Sequence, residues 1–333
     1  MKIKNIMRKI AAYGLLGLMF FLNSCQKDLD TFTPDPVPGN DIWYNDIPAS
    51  APVADLRTAL LLPPFIDSLD IVPGTLSLLN TGSGIKSLIS YGTIVNGNNN
   101  PVSGRIAVET HLIRKKGEMI RMGITTASNN RLLVSAGRLS VRFLLNGNEL
   151  GLAPQGQQTH YSVNFRSLPL SSPVNLFKAD PNSLFNWLPD EDTSNHIYPN
   201  SQDSSYQIVT KRTGWTGVDY FFDTTGISRA KVTLTLPSAY TNANTMAFVV
   251  FNNMNAVVAL SGNAVTRKFS SFLLPVNKPA MIIVISKQGS GYYLGQSQVT
   301  IGGSGSVPLT TQDIEITPSA TNIDEIRSLL DNL

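Results

Sequence analysis

The chain has 333 residues, with 26 Lys and Arg against 23 Asp and Glu, three His and a single Cys. Four of the cations (Lys2, Lys4, Arg8, Lys9) precede residue 25, so the remainder holds 22 cations and 23 acids, a balance of −1 that excludes the strongly basic character of nucleic-acid binders. One thiol excludes an internal disulfide, so stability rests on hydrophobic cores, for which the chain is long enough.

The N-terminus combines those four cations, no acid, and an apolar run of 13 residues from Ile10 to Leu22. That length falls within the roughly 7–15 residues of a signal-peptide hydrophobic segment. It is short of the about 20 that a membrane-spanning helix needs. Leu22-Asn23-Ser24-Cys25 then resembles a bacterial lipobox, which implies cleavage before Cys25 and acylation of its sulfur. The alternative is an ordinary secretory signal with a chance cysteine. Gln26-Lys27-Asp28 is similar to the surface-export signal of Bacteroidetes-type lipoproteins. It implies a chain anchored by lipid to the outer membrane and facing the exterior, with periplasm-facing attachment as the alternative.

Residues 25–62 read as a tether. Thr33-Pro34-Asp35-Pro36-Val37-Pro38-Gly39-Asn40 favours extended chain, and a short helix from Asp55 to Leu62 ends at Pro63-Pro64. Residues 63–170 read as a first β-sandwich domain. Within it Gly104 to Ile113 alternates, Lys115-Lys116-Gly117-Glu118 reads as a charged turn, and Met119 to Met122 as a resumed strand. Leu139 to Leu145, Asn146-Gly147 and Leu150 give the clearest hairpin signal. Residues 171–212, with Pro173, Pro181, Pro189 and Pro199 spread through polar sequence, read as a linker or loop.

Residues 213–302 read as a second β domain. Ala230 to Leu236 alternates, whereas Met246 to Phe251, Ala256 to Leu260 and Met281 to Ile285 are unbroken apolar runs, as strands covered on both faces would be. In residues 303–333 a flexible Gly-Ser link precedes a short amphipathic helix capped by Thr321-Asn322. The expected fold is thus all-β: two tandem β-sandwich-like domains with a short C-terminal helix.

Several segments carry a further resemblance. Asn100-Pro101-Val102-Ser103-Gly104-Arg105-Ile106, Lys116-Gly117-Glu118-Met119-Ile120, Leu132-Leu133-Val134-Ser135-Ala136-Gly137 and Asn146-Gly147-Asn148-Glu149-Leu150 follow one another in an order similar to the ZU5-like, carboxypeptidase-regulatory-like β-sandwich module of uncharacterised Bacteroidetes-type surface lipoproteins. Glu118 stands there for Asp, Asn130 for Gly and Ala136 for Gly. Gly214-Trp215-Thr216-Gly217-Val218-Asp219-Tyr220-Phe221 resembles the GWxxxD motif of the companion module, with Val218 for its Cys and Tyr220 for its Arg. The resemblance implies a fold and no activity.

Candidate chemistry is sparse. His111, His160 and His196 lack metal-ligand spacing, and no metal or cofactor is expected. Asp190-Glu191-Asp192, with Asp180 and His196, offers oxygens for Ca²⁺, but in no EF-hand spacing, and reads better as a solvated loop. Glu109 and Glu118 are the carboxylates a glycosidase reading would use, and no Gly-x-Ser-x-Gly elbow is present on a strand. Trp187, Tyr198 and Tyr206 are candidate ligand contacts, because aromatic rings beside amides suit glycan or protein recognition. Trp215, Phe221 and Phe222 read instead as core. The expected role is non-catalytic binding, adhesion or envelope assembly. A hydrolase on surface glycans or peptides and a structural spacer are the alternatives.

Overall fold

In a computed structural model of the chain, the described residues are 41–153, 159–163, 174–181, 186–200, 205–303 and 310–333. Cys25, Gln26, Lys27 and Asp28 lie outside them. Among the described residues no helix is long and apolar enough to cross a membrane.

The fold is all-β, with three short helices among the described residues. A nine-stranded sheet runs in the order β1 (Phe65–Ile71), β5 (Gly104–Ile113), β7 (Arg131–Leu145), β14 (Gly214–Phe221), β10 (Asn175–Ala179), β11 (Trp187–Pro189). Three short strands, β4 (Ile94–Val95), β6 (Ala127–Ser128) and β8 (Asn148–Leu152), are attached to it. A five-stranded sheet runs β12 (His196–Asn200), β13 (Ser205–Thr210), β9 (Thr159–Val163), β3 (Lys86–Ser90), β2 (Leu76–Asn80). The two share a core of alternate residues, among them Ile106 and Val108 of β5, Leu139, Val141 and Phe143 of β7, and Tyr206 and Ile208 of β13. The β7–β8 hairpin turns on Asn146 and Gly147, both at positive φ (51° and 80°), the backbone a tight Asn-Gly turn demands.

The second body is an eight-stranded sheet: β21 (Thr311–Glu315), β15 (Arg229–Thr235), β18 (Lys268–Pro275), β17 (Val257–Asn263), β16 (Thr245–Phe251), β19 (Pro279–Gln288), β20 (Gly291–Thr300), β22 (Ser319–Thr321). All seven residues of β16 are buried, as its unbroken apolar run requires. Ala247, Val249 and Phe251 fill this body's own core with Ala280, Ile282 and Val284 of β19. Met246, Phe248 and Val250, with Ile283 and Ile285, face the other way.

That outward face is covered by α1 (Pro52–Leu60), α2 (Lys116–Met122) and α3 (Ile323–Asp331). Leu56, Leu60, Met119, Ile120, Ile326 and Leu330 join Ile113, Leu133, Phe177 and Trp187 of the first body in one cluster. Full burial of each such side chain is worth about 1.5–3 kcal/mol, so the layer between the two bodies is itself a core. Gly117 of α2 lies against Leu330 of α3, where an added Cβ would come within 1.7 Å of the Leu330 carbonyl oxygen. Asn40–Leu333 forms one compact unit.

Four expectations change. The tether does not extend to residue 62: Trp43 packs on Phe269 with ring centroids 5.1 Å apart, and the Asn242 amide brackets the Tyr44 main chain at 3.0 and 2.6 Å. Met119 to Met122 is helical, because Glu118 accepts the Arg114 and Lys115 N–H groups at 2.7 and 2.9 Å and Gly123 (φ 66°) closes the helix. The described part of residues 171–212 holds four strands: β11 pairs with β10 and β12 with β13 nearby, while β10 and β13 find β14 and β9 about forty positions away. The strand that opens the expected second domain, β14, pairs with β7 and β10 in the first sheet.

Where β14 crosses β7, a charge is buried. Arg138 and Asp219 are both fully buried, with Nη2 of Arg138 3.3 Å from Oδ1 of Asp219. Arg138 also donates from Nη1 to the carbonyls of Ile124 (2.9 Å) and Thr125 (2.5 Å), and its guanidinium lies 4.0 Å from the centre of the Trp187 ring. Burial pushes the Asp219 carboxyl up, while the Arg138 charge opposes it; burial likewise lowers Arg138. Gly217, directly opposite Arg138 in register, leaves room for the indole: an added Cβ would lie 2.4 Å from Asp219 Oδ2 and 3.2 Å from Trp187 Cε3. We predict that Asp219→Ala, which strands the Arg138 charge, costs about 3–5 kcal/mol in urea unfolding, whereas a surface change costs under about 0.5.

Candidate functional site

The sequence-predicted contacts separate into interior and surface. Trp187 is 1% exposed and Tyr206 0%. Neither is the exposed ligand contact expected of it: Trp187 is clamped between Arg138 and Gly217, and Tyr206 belongs to the first core. Tyr198 is 51% exposed. Trp215 stacks on His111 with centroids 5.5 Å apart, and His111 Nε2 lies 3.2 Å from the Leu62 carbonyl, which calls for the tautomer protonated at Nε2. Phe221 lies edge-on to Phe177 and beneath the Arg131 guanidinium, so the GWxxxD residues are packing elements.

Tyr198 sits on β12, at the edge of the five-stranded sheet. The alternation of β12 turns Ile197 towards the first core and leaves His196 and Tyr198 on the outer face, ring centroids 6.0 Å apart. Beside them is a groove of about 410 Å³ between β12 and β10, with Asn175, Asn195, Pro189 and Phe221 among its lining residues. Its size lies within the range of small-ligand clefts. On the same outer face β2 and β3 expose Leu76, Leu78 and Leu88, with Leu78 directly opposite Leu88.

The groove's wall is built by Asp190. Its Oδ1 accepts from Arg212 Nη2 at 2.6 Å and from the Asp192 N–H at 3.1 Å, and its Oδ2 from the Asn195 amide at 2.8 Å. Asn195 Oδ1 in turn accepts the Lys211 N–H at 2.9 Å, which ties the loop to the end of β13. The Asp192 carboxyl sits below its usual range because the Ser194 hydroxyl and N–H donate to it. These acids thus brace a turn, the solvated-loop reading, and among the described residues no group of three His, Cys, Asp or Glu converges on a metal-sized site.

The carboxylates of the glycosidase reading do not share a cleft role. Glu109 pairs with Arg142 at 2.9 Å, and Glu118 accepts main-chain N–H groups at the start of α2. His160 lies on β9, opposite Leu88 in the backbone register. Sequence reasoning missed the Arg138–Asp219 pair, although Arg138, one of two arginines within the apolar stretch Leu132 to Leu145, was a visible signal. What the groove offers chemically is two exposed rings, side-chain amides and an apolar floor, a set suited to stacking and hydrogen bonding.

No protein-family model matches the chain, and no curated protein is found to be similar to it. The site is therefore read from its own geometry.

Replacement of the two aromatic residues should separate their roles. Trp187→Ala is expected to lose about 3–5 kcal/mol of stability by opening a cavity beside Arg138. Tyr198→Ala is expected to stay within about 0.5 kcal/mol of the parent. Urea unfolding of both variants checks this.

Proposed function

We propose that the protein is a lipid-anchored, non-catalytic binding protein of the outer cell envelope, attached through Cys25 and exported by Gln26-Lys27-Asp28. Its binding site is the groove beside Tyr198, and its ligand is a glycan. The observation that carries the binding reading is the outward-facing Tyr198–His196 pair beside an amide-lined groove of about 410 Å³. Aromatic faces stack on the apolar faces of sugar rings, and side-chain amides exchange hydrogen bonds with hydroxyls.

Binding is favoured over hydrolysis by the state of the groove's carboxylate. Asp190 commits both oxygens to Arg212, Asn195 and Asp192. A hydrolytic site needs carboxylates free to move protons or attack. A protein ligand is the second reading, favoured by the exposed Leu76, Leu78 and Leu88 on the same sheet face.

Resemblance to the lipobox supports the anchor. Acylation binds a membrane by about 0.8 kcal/mol per buried methylene, so several chains on one sulfur hold a protein without a spanning helix. Cys25→Ala is expected to move the chain from the membrane to the soluble fraction on cell fractionation, and unchanged retention would refute the anchor. In glycan-array binding with the full chain in detergent, Tyr198→Ala is expected to weaken capture about tenfold or more, the loss of one aromatic hot spot. Undiminished capture would refute the groove.

A further inference from the structure

A second groove, of about 570 Å³, lies where α2 begins, against the turn between β16 and β17. Arg114, Lys115 and Lys116 line it from one side, Asn252, Asn253 and Asn255 from the other. Val134, Tyr220, Met254 and Leu333 complete it, and no Asp or Glu side chain is among its lining residues.

The two ammonium groups are held by carbonyls rather than carboxylates. Lys115 Nζ donates to the main-chain oxygen of Asp331 at 3.1 Å, and Lys116 Nζ to that of Phe251 at 2.8 Å. Each ammonium has three N–H donors, so each is positioned by one bond with two left to offer. Neither lysine takes part in an ion pair among the described residues; the Asp331 carboxylate is held by Arg121 at 2.7 Å. Glu118 Oε2 accepts the main-chain N–H groups of Arg114 and Lys115. The Lys115 and Lys116 ammonium groups are thus set in place by carbonyls, with no carboxylate partner among the described residues.

From this geometry we infer that the groove binds an acidic oligosaccharide, its carboxylate on Lys115 and Lys116 and its hydroxyls on the asparagines. The choice of class follows from the lining. Side-chain amides both donate and accept, as sugar hydroxyls do, and the Tyr220 ring and Met254 provide apolar surface for a pyranose. Two ammonium groups suit one carboxylate and fall short of the extended basic track a nucleic acid needs. Partial burial lowers the Lys116 pKa, so an arriving anion restores what desolvation removed there. The site is independent of the Tyr198 groove.

Calorimetric titration of the full chain in detergent micelles with a galacturonic-acid tetramer tests this, with a neutral galactose tetramer and inorganic phosphate as controls. Expected is saturable binding of the acidic tetramer alone, weakened by added salt because the charges are partly exposed. Lys115→Ala should weaken it about tenfold or more and Lys115→Arg restore part of it, as loss and return of a charge-assisted bond would. Asn253→Asp, at an exposed turn position, should weaken it as much while leaving the thermal midpoint unchanged. Tyr198→Ala should leave it unaltered, which keeps this site distinct from the first. Absence of saturable binding, equal binding of the neutral tetramer, binding of phosphate in place of the tetramer, or full affinity in both Lys115→Ala and Asn253→Asp would overturn the assignment.

Discussion

The Arg138–Asp219 pair ties several separate parts of this molecule together. Arg138 is on β7, which pairs with β5, β8 and β14, and its guanidinium reaches Asp219 on β14, the Trp187 ring on β11, and the carbonyls of Ile124 and Thr125. The next residue, Thr126, exchanges hydrogen bonds with Val257 of β17 in the second body: its N–H donates to the Val257 carbonyl at 2.7 Å, and its hydroxyl accepts the Val257 N–H at 2.8 Å. One buried cation therefore fixes the segment on which the second body is hung. A buried ion pair is not in itself a gain over well-packed apolar groups, because both partners lose their water. What it contributes is geometry: a guanidinium without its carboxylate, carbonyls and indole has no comparable place in a dry interior, so alternative packings are disfavoured.

The same region carries further polar ties between the two β bodies. Besides the Thr126–Val257 bonds, Asn255 donates to the carbonyls of Arg114 and Ser135 at 3.0 and 2.9 Å. Gly117 against Leu330 is the tightest point of the helical layer between them. Both grooves are by-products of the same crossing. Strand β14 contributes Tyr220 to the cationic groove and Phe221 to the aromatic one, consecutive residues of one strand.

Local signals were legible in the sequence wherever the period of the apolar residues matched the burial of the element. Unbroken runs at β16 and β19 announced strands covered on both faces, Asn146-Gly147 announced a hairpin, and Asn322 does cap α3, accepting the Glu325 N–H at 2.9 Å. Pairing over long separations was not legible. The prolines of residues 171–212 obscured β13, although Tyr206-Gln207-Ile208 already alternates and pairs with β9 more than forty positions earlier. Likewise Lys116-Gly117-Glu118 resembles a turn until Leu330, more than two hundred residues on, packs against the glycine. The same distance effect misplaced the aromatics of the candidate site. Trp187 follows a mixed run and Tyr206 a polar one, and only strands from elsewhere bury them; Tyr198 stays at the surface because the alternation of β12 turns it to the outer face.

Composition was least informative where function is concerned. A net charge of +3 over the whole chain, or −1 counted from residue 25, describes a nearly neutral body, yet the chain divides its cations among quite different environments. Arg138 is sealed in the interior with a carboxylate, Arg212 and Arg142 are neutralised at the surface by Asp190 and Glu109, and Lys115 and Lys116 are held only by carbonyls. The field a ligand meets depends on which charges keep a counter-charge, not on their sum. In this protein the paired cations organise the scaffold and the carbonyl-held ones remain available. An almost uncharged molecule in this way carries one groove lined by carbonyl-held ammonium groups and another whose carboxylate, Asp190, is paired with Arg212, on a single β framework.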